Sequence, residues 1–428
     1  MRQIVAVLTA IFVAASFAWA GGNAEEASGG GESEEMVTLT IAGRDGAYGD
    51  GMDLAAEAFM AENPNVEIEV LKLSGSALFE QTVVDLRSGT SSYDIILIDD
   101  PNAPQYMAAG WLADLDEMFQ ARGIEPDDDF IDPTLMLGRY PYAEDGTLHA
   151  LPHVGNVELF AYRRDLFEKH GLASPETWDA VMTAAEALAE NEPGVSPVLF
   201  RGSKGNPIVT GFLPILWSFG GNVLEGGEAS LDSPEAVAAV EYFLELSQYA
   251  PEGVANYQSA QVRDALYSGT GAIAIEVWPG WIRDINNPDE SAVVDQVAIT
   301  KHPRQTRSSS PMIGVWLAAI PENAPNPEVA FDFLLHLTSE EMQRQMSLEA
   351  GIPPTRVSVH EMADVQEAYF WYPAQLDGLQ NGVARPRTDQ WKEVEAALGE
   401  ALQQALIGEI GAEEAVRRAH ERIAEIVG

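Results

Sequence analysis

The stretch YDIILIDDP, Tyr93 to Pro101, decides the fold. Ile95, Ile96, Leu97 and Ile98 form an unbroken apolar run of strand length, rich in β-branched side chains. Such a run fits a strand buried on both faces, as in a parallel sheet covered by helices. Asp99 and Asp100 end it, and Pro101 cannot extend it. Working outward, VTLTIAG (37–43) alternates as a strand and GRDGAYGDG (43–51) reads as a glycine-rich loop. Residues 53–63 follow a helical period, with Leu54, Ala55, Ala58 and Phe59 on one face. VEIEVLKL (66–73) is a second strand, and a helix is predicted around 76–88. Strand, helix, strand, helix, strand is the order of a mostly parallel α/β sheet. Ligands in such sheets bind beyond the carboxyl ends of the strands, where Asp99 and Asp100 sit. One of the pair is expected to cap the helix after Pro101, and the other to face a ligand.

Further along, Ser174-Pro175-Glu176, Ser233-Pro234-Glu235 and Asn326-Pro327-Glu328 each place a capping residue before proline, predicting three helix starts. LFAYRRDLF (159–167) reads as a strand entering a turn, GAIAIEVW (271–278) and VWLAAI (315–320) as strands, and 390–427 as amphipathic helix. No repeat and no linker divides the chain. Two lobes joined by several crossings are therefore expected rather than two beads on a string.

Hydrophobic residues make up 46% of the 428, enough for a large core. Residues 1–20 read as a cleavable signal peptide: Arg2, an apolar stretch from Ile4 to Phe17, then Ala18-Trp19-Ala20. Residues 21–36 are rich in Gly, Ser and Glu and read as a flexible acidic leader. An exported, periplasmic or extracellular protein is expected. The chain has no cysteine, which excludes disulfides, thiol catalysis, cysteine-held zinc and a lipid anchor on cysteine. With 67 acidic against 24 basic residues the net charge is −43, which excludes a phosphate-reading nucleic-acid surface.

Catalytic signatures are missing from the sequence. No G-x-S-x-G elbow or phosphate loop is present. His149 and His153 are separated by Pro152, which argues against a helix presenting both to a metal. The acidic run Glu125 to Asp129 lacks the alternation and glycine of a calcium loop and reads as a solvated turn. Neither a metal nor a cofactor is expected. The tryptophans say more. Trp217 precedes Gly220-Gly221, Trp278 and Trp281 bracket Pro279-Gly280, Trp316 follows Gly314, and Trp371 lies near Pro373. An indole beside glycine and proline presents a flat face, as a sugar's C–H face requires, while carboxylates and arginines serve its hydroxyl rim.

These pieces resemble the extracellular solute-binding proteins of ABC transporters, in the carbohydrate branch that includes maltose- and trehalose-binding proteins. The resemblance runs through 93–117, 151–181, 216–222, 268–281, 314–341, 351–359 and 384–398, in the family's order. It implies a two-lobed periplasmic-binding-protein fold (type II) whose cleft closes on a sugar, mono- or oligosaccharide, for delivery to membrane permease subunits. It implies no catalysis and a monomer. Lobe 1 would hold 37–153 and 304–338, and lobe 2 would hold 157–300 and 339–428. By position the sugar contacts would be Asp99 or Asp100, Asn156 where the family carries an acid, Trp278 with Trp281 as rival, Gly314, Trp316 and Arg385. Arg44 and Asp45 in the early loop, and Trp217, join them. A polyol or another small polar solute is the alternative within the fold, and a secreted carbohydrate-active enzyme the alternative outside it.

A surface this acidic repels itself until salt screens it. The melting temperature is expected to rise as NaCl goes from about 0.05 to about 1 M, within which the screening length shrinks severalfold. A flat or falling melting temperature in thermal scans would reject a surface adapted to salt.

Overall fold

The computed structural model describes residues 36–428. The expected signal peptide, and the expected leader apart from Met36, lie outside the described residues. Nine strands build two main sheets: Val37–Arg44 (β1), Val66–Leu73 (β2), Ile95–Asp99 (β3), Ala150–Val154 (β4), Leu159–Arg163 (β5), Ser196–Leu199 (β6), Gly271–Val277 (β7), Val297–Thr300 (β8) and Trp316–Ala319 (β9). The first sheet has the order β2-β1-β3-β9-β4 and the second the order β8-β5-β7-β6. This is the expected two-lobed α/β fold.

β1 pairs in parallel with both β2 and β3, through crossover helices Ala47–Glu62 (α1) and Gly75–Arg87 (α2). β3 is interior to its sheet, which explains its apolar run: Ile95 to Ile98 are at most 2% exposed. β9 returns from the second lobe and runs antiparallel between β3 and β4, in a register that sets Trp316 opposite Asp99. In the second sheet β7 is parallel to β6 and antiparallel to β5. Helix Asn206–Phe219 (α3) is apolar on almost every face and buried through most of its length in the second core.

The chain crosses between the sheets three times among the described residues: after β4, before β9, and around 382–390. The crossings support one another. Met312–Ile313 pairs with Val383–Ala384 in parallel, and Val157 bridges Ile313. The last crossing lies later than the expected boundary at 338/339. Helix Pro327–Leu337 (α4) and helix Glu340–Ala350 (α5) both pack on α1 in the first lobe. Of the helices that follow β9, Trp391–Leu406 (α6) and Ala412–Val427 (α7) pack into the second core.

Two local expectations change and a third gains detail. Helix α1 begins at Ala47, inside the predicted loop, because its glycines are packing residues. A Cβ on Gly51 would stand 2.7 Å from Ile352 Cγ1, and one on Gly49 2.6 Å from the Arg44 carbonyl. The helix expected after Ser174-Pro175 begins at Trp178 instead, with Thr177 Oγ1 accepting from Ala180 N. Glu176 and Thr177 are held extended by a bridge to Arg304. The acidic run is the exposed turn expected, but two of its carboxylates are also engaged: Asp127 Oδ2 accepts from Arg356 at 2.6 Å, and Asp129 accepts from Ser358 N and Oγ. No helix among the described residues is long and apolar enough to cross a membrane.

One buried carboxylate ties the first lobe together. Asp94, 1% exposed, accepts from Thr40 N and Asn326 N, both at 2.8 Å. Asn326 is thereby drawn to the sheet and does not cap α4 with its side chain. Asp94→Ala leaves two amides short of an acceptor and is expected to cost about 3 kcal/mol. Urea unfolding measures it; a loss under about 1 kcal/mol would mean other groups satisfy those amides.

Candidate ligand-binding site

The cavity of interest, about 260 Å³, opens where the two sheets and the crossings meet. The first sheet contributes Arg44 from the end of β1, Asp99 from the end of β3 and Trp316 from the start of β9. Strand-end placement is what an open α/β sheet provides, and antiparallel β9 adds its amino end to the same edge. Tyr48 in α1 stands beside Trp316, ring centroids 5.9 Å apart. The Arg44 guanidinium lies 5.9 Å from the Trp316 ring. Burial pushes the Tyr48 phenol up to about 12. It therefore stays protonated, accepts from Asn156 Nδ2 at 2.5 Å, and keeps its own proton free to donate. Asn156 Oδ1 makes no hydrogen bond within the described residues, leaving an acceptor at the same point.

The second sheet supplies the opposing wall. Trp278 follows β7, and its ring lies against the backbone of Gly314. A Cβ there would be 2.5 Å from Trp278 Cζ3, so only glycine lets the indole sit flat. Trp281 carries the Arg201 guanidinium 4.9 Å above its ring. Arg201 follows β6 and is gripped by Glu276, a fully buried residue of β7: Nε donates to Oε1 at 3.0 Å and Nη2 to Oε2 at 2.9 Å. Arg201 also donates to Thr210 on α3. Asn206, Thr210 and Ser259 complete this side.

Arg385 arrives on the third crossing. Its Nη2 donates to Asp100 Oδ1 at 2.5 Å and lies 3.3 Å from Asp99 Oδ1. Arg387 donates to the Asp100 carbonyl at 2.7 Å and to the Leu137 carbonyl at 3.0 Å. Burial pushes the Asp99 carboxyl up to about 7, against the downward pull of Arg385 and with added repulsion from Asp100. Burial opposes the charge on Arg385, yet Asp100 and Asp99 hold it above the ordinary arginine value.

The expected site residues therefore divide. Arg44, Asp99, Asn156, Trp278, Trp281, Gly314, Trp316 and Arg385 share one cavity. Trp278 and Trp281, expected as rivals, both line it. Asp100, expected to face the ligand or cap a helix, does neither. It is fully buried behind the wall as counter-ion to Arg385 and Arg387, and no aspartate side chain caps the turn at Pro101. Pro101 and Pro104 have removed amide donors that a cap would serve. Asp45 pairs with Arg44 and is not on the cavity wall. Trp217, expected in a loop, is inside α3 and 7% exposed in the second core. Tyr48, Arg201, Asn206, Thr210 and Ser259 escaped the sequence reading. Arg201 carried a usable signal, since it follows a parallel strand's carboxyl end.

Each guanidinium on the wall has a carboxylate beside it: Asp45 for Arg44, Glu276 for Arg201, Asp100 for Arg385. What remains is three indoles, a phenol, amides, a hydroxyl pair and one carboxyl of raised pKa. That set can stack on a C–H face and exchange hydrogen bonds with a ring of hydroxyls.

Known proteins agree with this architecture. The chain is 26% identical to the maltose-bound MalE3 of T. maritima, with a TM-score of 0.79 over 90% of this chain and 99% of that one. A solute-binding protein of Agrobacterium radiobacter K84 in complex with ribitol superposes with a TM-score of 0.81 at 24% identity, covering 91% of this chain and 99% of that one. The mannitol-binding protein of Pseudomonas aeruginosa is 25% identical over 347 residues, 78% of this chain and 77% of its own. A probable amino-acid ABC transporter periplasmic-binding protein of Sinorhizobium fredii is 24% identical over 79% of this chain and 77% of its own. Residues 45–344 match the family profile itself, and the chain belongs to the bacterial extracellular solute-binding proteins.

Proposed function

We propose that the protein captures an uncharged sugar or polyol in this cavity and hands it to the permease of an ABC transporter. The observation that carries the reading is a neutralised, indole-lined cavity. An amino acid brings a carboxylate that wants an unpaired cation, and every guanidinium on the wall already has its partner. The amino-acid label of one relative therefore finds no support in this wall, whereas the maltose, ribitol and mannitol of the others suit it. Hydrolysis by a pair of carboxylates needs two that reach the substrate. Asp100 is buried in an ion pair and leaves Asp99 alone. Export to the periplasm or cell exterior and action as a monomer accompany this reading. Both lobes and the crossings contribute to one cavity, so binding is coupled to the approach of the lobes.

A thermal-shift screen of monosaccharides, disaccharides and polyols tests it, because a ligand of the folded state raises the melting temperature. At least one uncharged member should do so, with no product formed from any oligosaccharide. Trp278→Ala should weaken that ligand about tenfold or more, as expected for loss of a stacking face worth about 1.4 kcal/mol. A positive shift from amino acids alone, or turnover, overturns the reading.

Asp99 adds a pH signature. A sugar hydroxyl donates to the carboxylate form. With the carboxyl at about 7 in the free protein, acidification removes the acceptor. The dissociation constant should rise as pH falls below 7, by up to about tenfold per unit. Titration calorimetry across pH 5.5–8 reads this, and Asp99→Asn should flatten the profile. An equally steep profile in Asp99→Asn would assign the dependence to another group.

A further inference from the structure

A second cavity, about 210 Å³, joins the first along Arg44, Asp99 and Trp316. It runs into the first lobe between α2 and the end of β3. Its walls are unlike those of the main cavity. Leu78, Leu97, Ile98 and Tyr106 line it, each 2% exposed, together with Phe79. Tyr106 offers no proton to an occupant, because its hydroxyl donates to Thr82 Oγ1 at 2.7 Å while that oxygen donates to the Leu78 carbonyl. Phe79 is covered from the second lobe, with Lys392 Nζ 4.0 Å from its ring centroid. Asn102 is the polar side chain available beyond the shared mouth.

Resting on the sugar reading of the main cavity, we infer that the ligand has two parts: a polyhydroxylated unit in the main cavity and a small, C–H-rich group in this annex. Hydrogen-bond supply in the annex is short. A second fully hydroxylated ring would bring several hydroxyls into a space where Asn102 and the mouth residues are the partners, and each hydroxyl left unpaired costs affinity. An alkyl, deoxy or similarly reduced group loses nothing there and gains from burial. The annex thus selects among sugars by what is attached to them.

Calorimetry on a parent sugar found by the screen, its methyl and propyl glycosides in both anomers, and a disaccharide of the same sugar tests this. One propyl glycoside should bind about tenfold tighter than the parent, consistent with burial of its methylenes, and the disaccharide should gain less. Leu78→Phe fills the annex and should remove that gain while the parent changes less than about twofold. Leu78→Ala enlarges it and should move the preference to longer chains, which keeps the test informative if the first variant folds poorly. Equal loss for parent and glycoside in both variants, or a disaccharide gain matching that of the propyl group, overturns the annex and leaves the sugar reading standing. If no sugar or polyol binds the wild type, the sugar reading falls and the annex falls with it.

Discussion

Asp100 is where the two lobes are fastened. Its carboxylate is fully buried and takes Arg385 and Arg387, both from the third crossing. Burying three charges is costly, and removing one member would leave the others uncompensated, which is far worse than having built none. The chain thereby commits 385–387 to the end of β3. Arg387 extends the hold to the Leu137 carbonyl, and Arg385 is fixed as part of the cavity wall. Asp99, one residue earlier, touches the same Arg385 Nη2 at 3.3 Å but lines the cavity, where it can meet a ligand. The strand ends between them: Asp99 is its last residue and Asp100 opens the turn that follows.

The remaining site geometry follows from sheet topology. β1 and β3 run parallel and end together, so Arg44 and Asp99 reach the same edge. β9 enters antiparallel with Trp316 opposite Asp99, which brings the start of that strand to the edge where the others finish. In the second lobe parallel β6 and β7 repeat the device: Arg201 and Trp278 lie just beyond their ends, and Glu276 beneath locks the guanidinium in plane. A rigid arginine presents its remaining donors without further ordering cost on binding. The lobes touch across the cleft through Lys392 of α6 and Phe79 of α2.

The sequence made the strands legible because buried parallel strands carry continuous apolar runs. The strand-end rule then located Asp99, and glycine and proline neighbours singled out Trp278, Trp281 and Trp316. The strand-end rule was silent on Arg201 because the short run 196–199 was too brief to stand out as a strand, although Phe200 and Gly202 flank the arginine. Family order located Asn156, Gly314 and Arg385. The errors share a cause. The glycines of 43–51 and 220–221 suggest loop, but Gly49 and Gly51 are helix residues required by close packing, and Gly220 ends α3 at φ 103°. That reading hid Tyr48 in a supposed loop and moved Trp217 out of a helix that buries it. Asp100 was misassigned because burial and counter-charge are tertiary facts. A cap is the better guess from local sequence alone.

The charge distribution closes the argument. The chain has 24 basic residues to balance 67 acidic ones, and it places several of the former inside. Arg163, Arg201, Arg356 and Arg385 are all buried, each with a carboxylate partner: Asp165, Glu276, Asp127 and Asp100. These pairs cancel one for one, so the surplus carboxylates behind the net charge of −43 are left to the surface. The interior of the cleft escapes that field because its own charges cancel pairwise at contact distance. An anionic solute would meet repulsion on approach and no surplus cation on arrival. An uncharged solute meets neither difficulty, and its selection is left to shape, stacking and hydroxyl count.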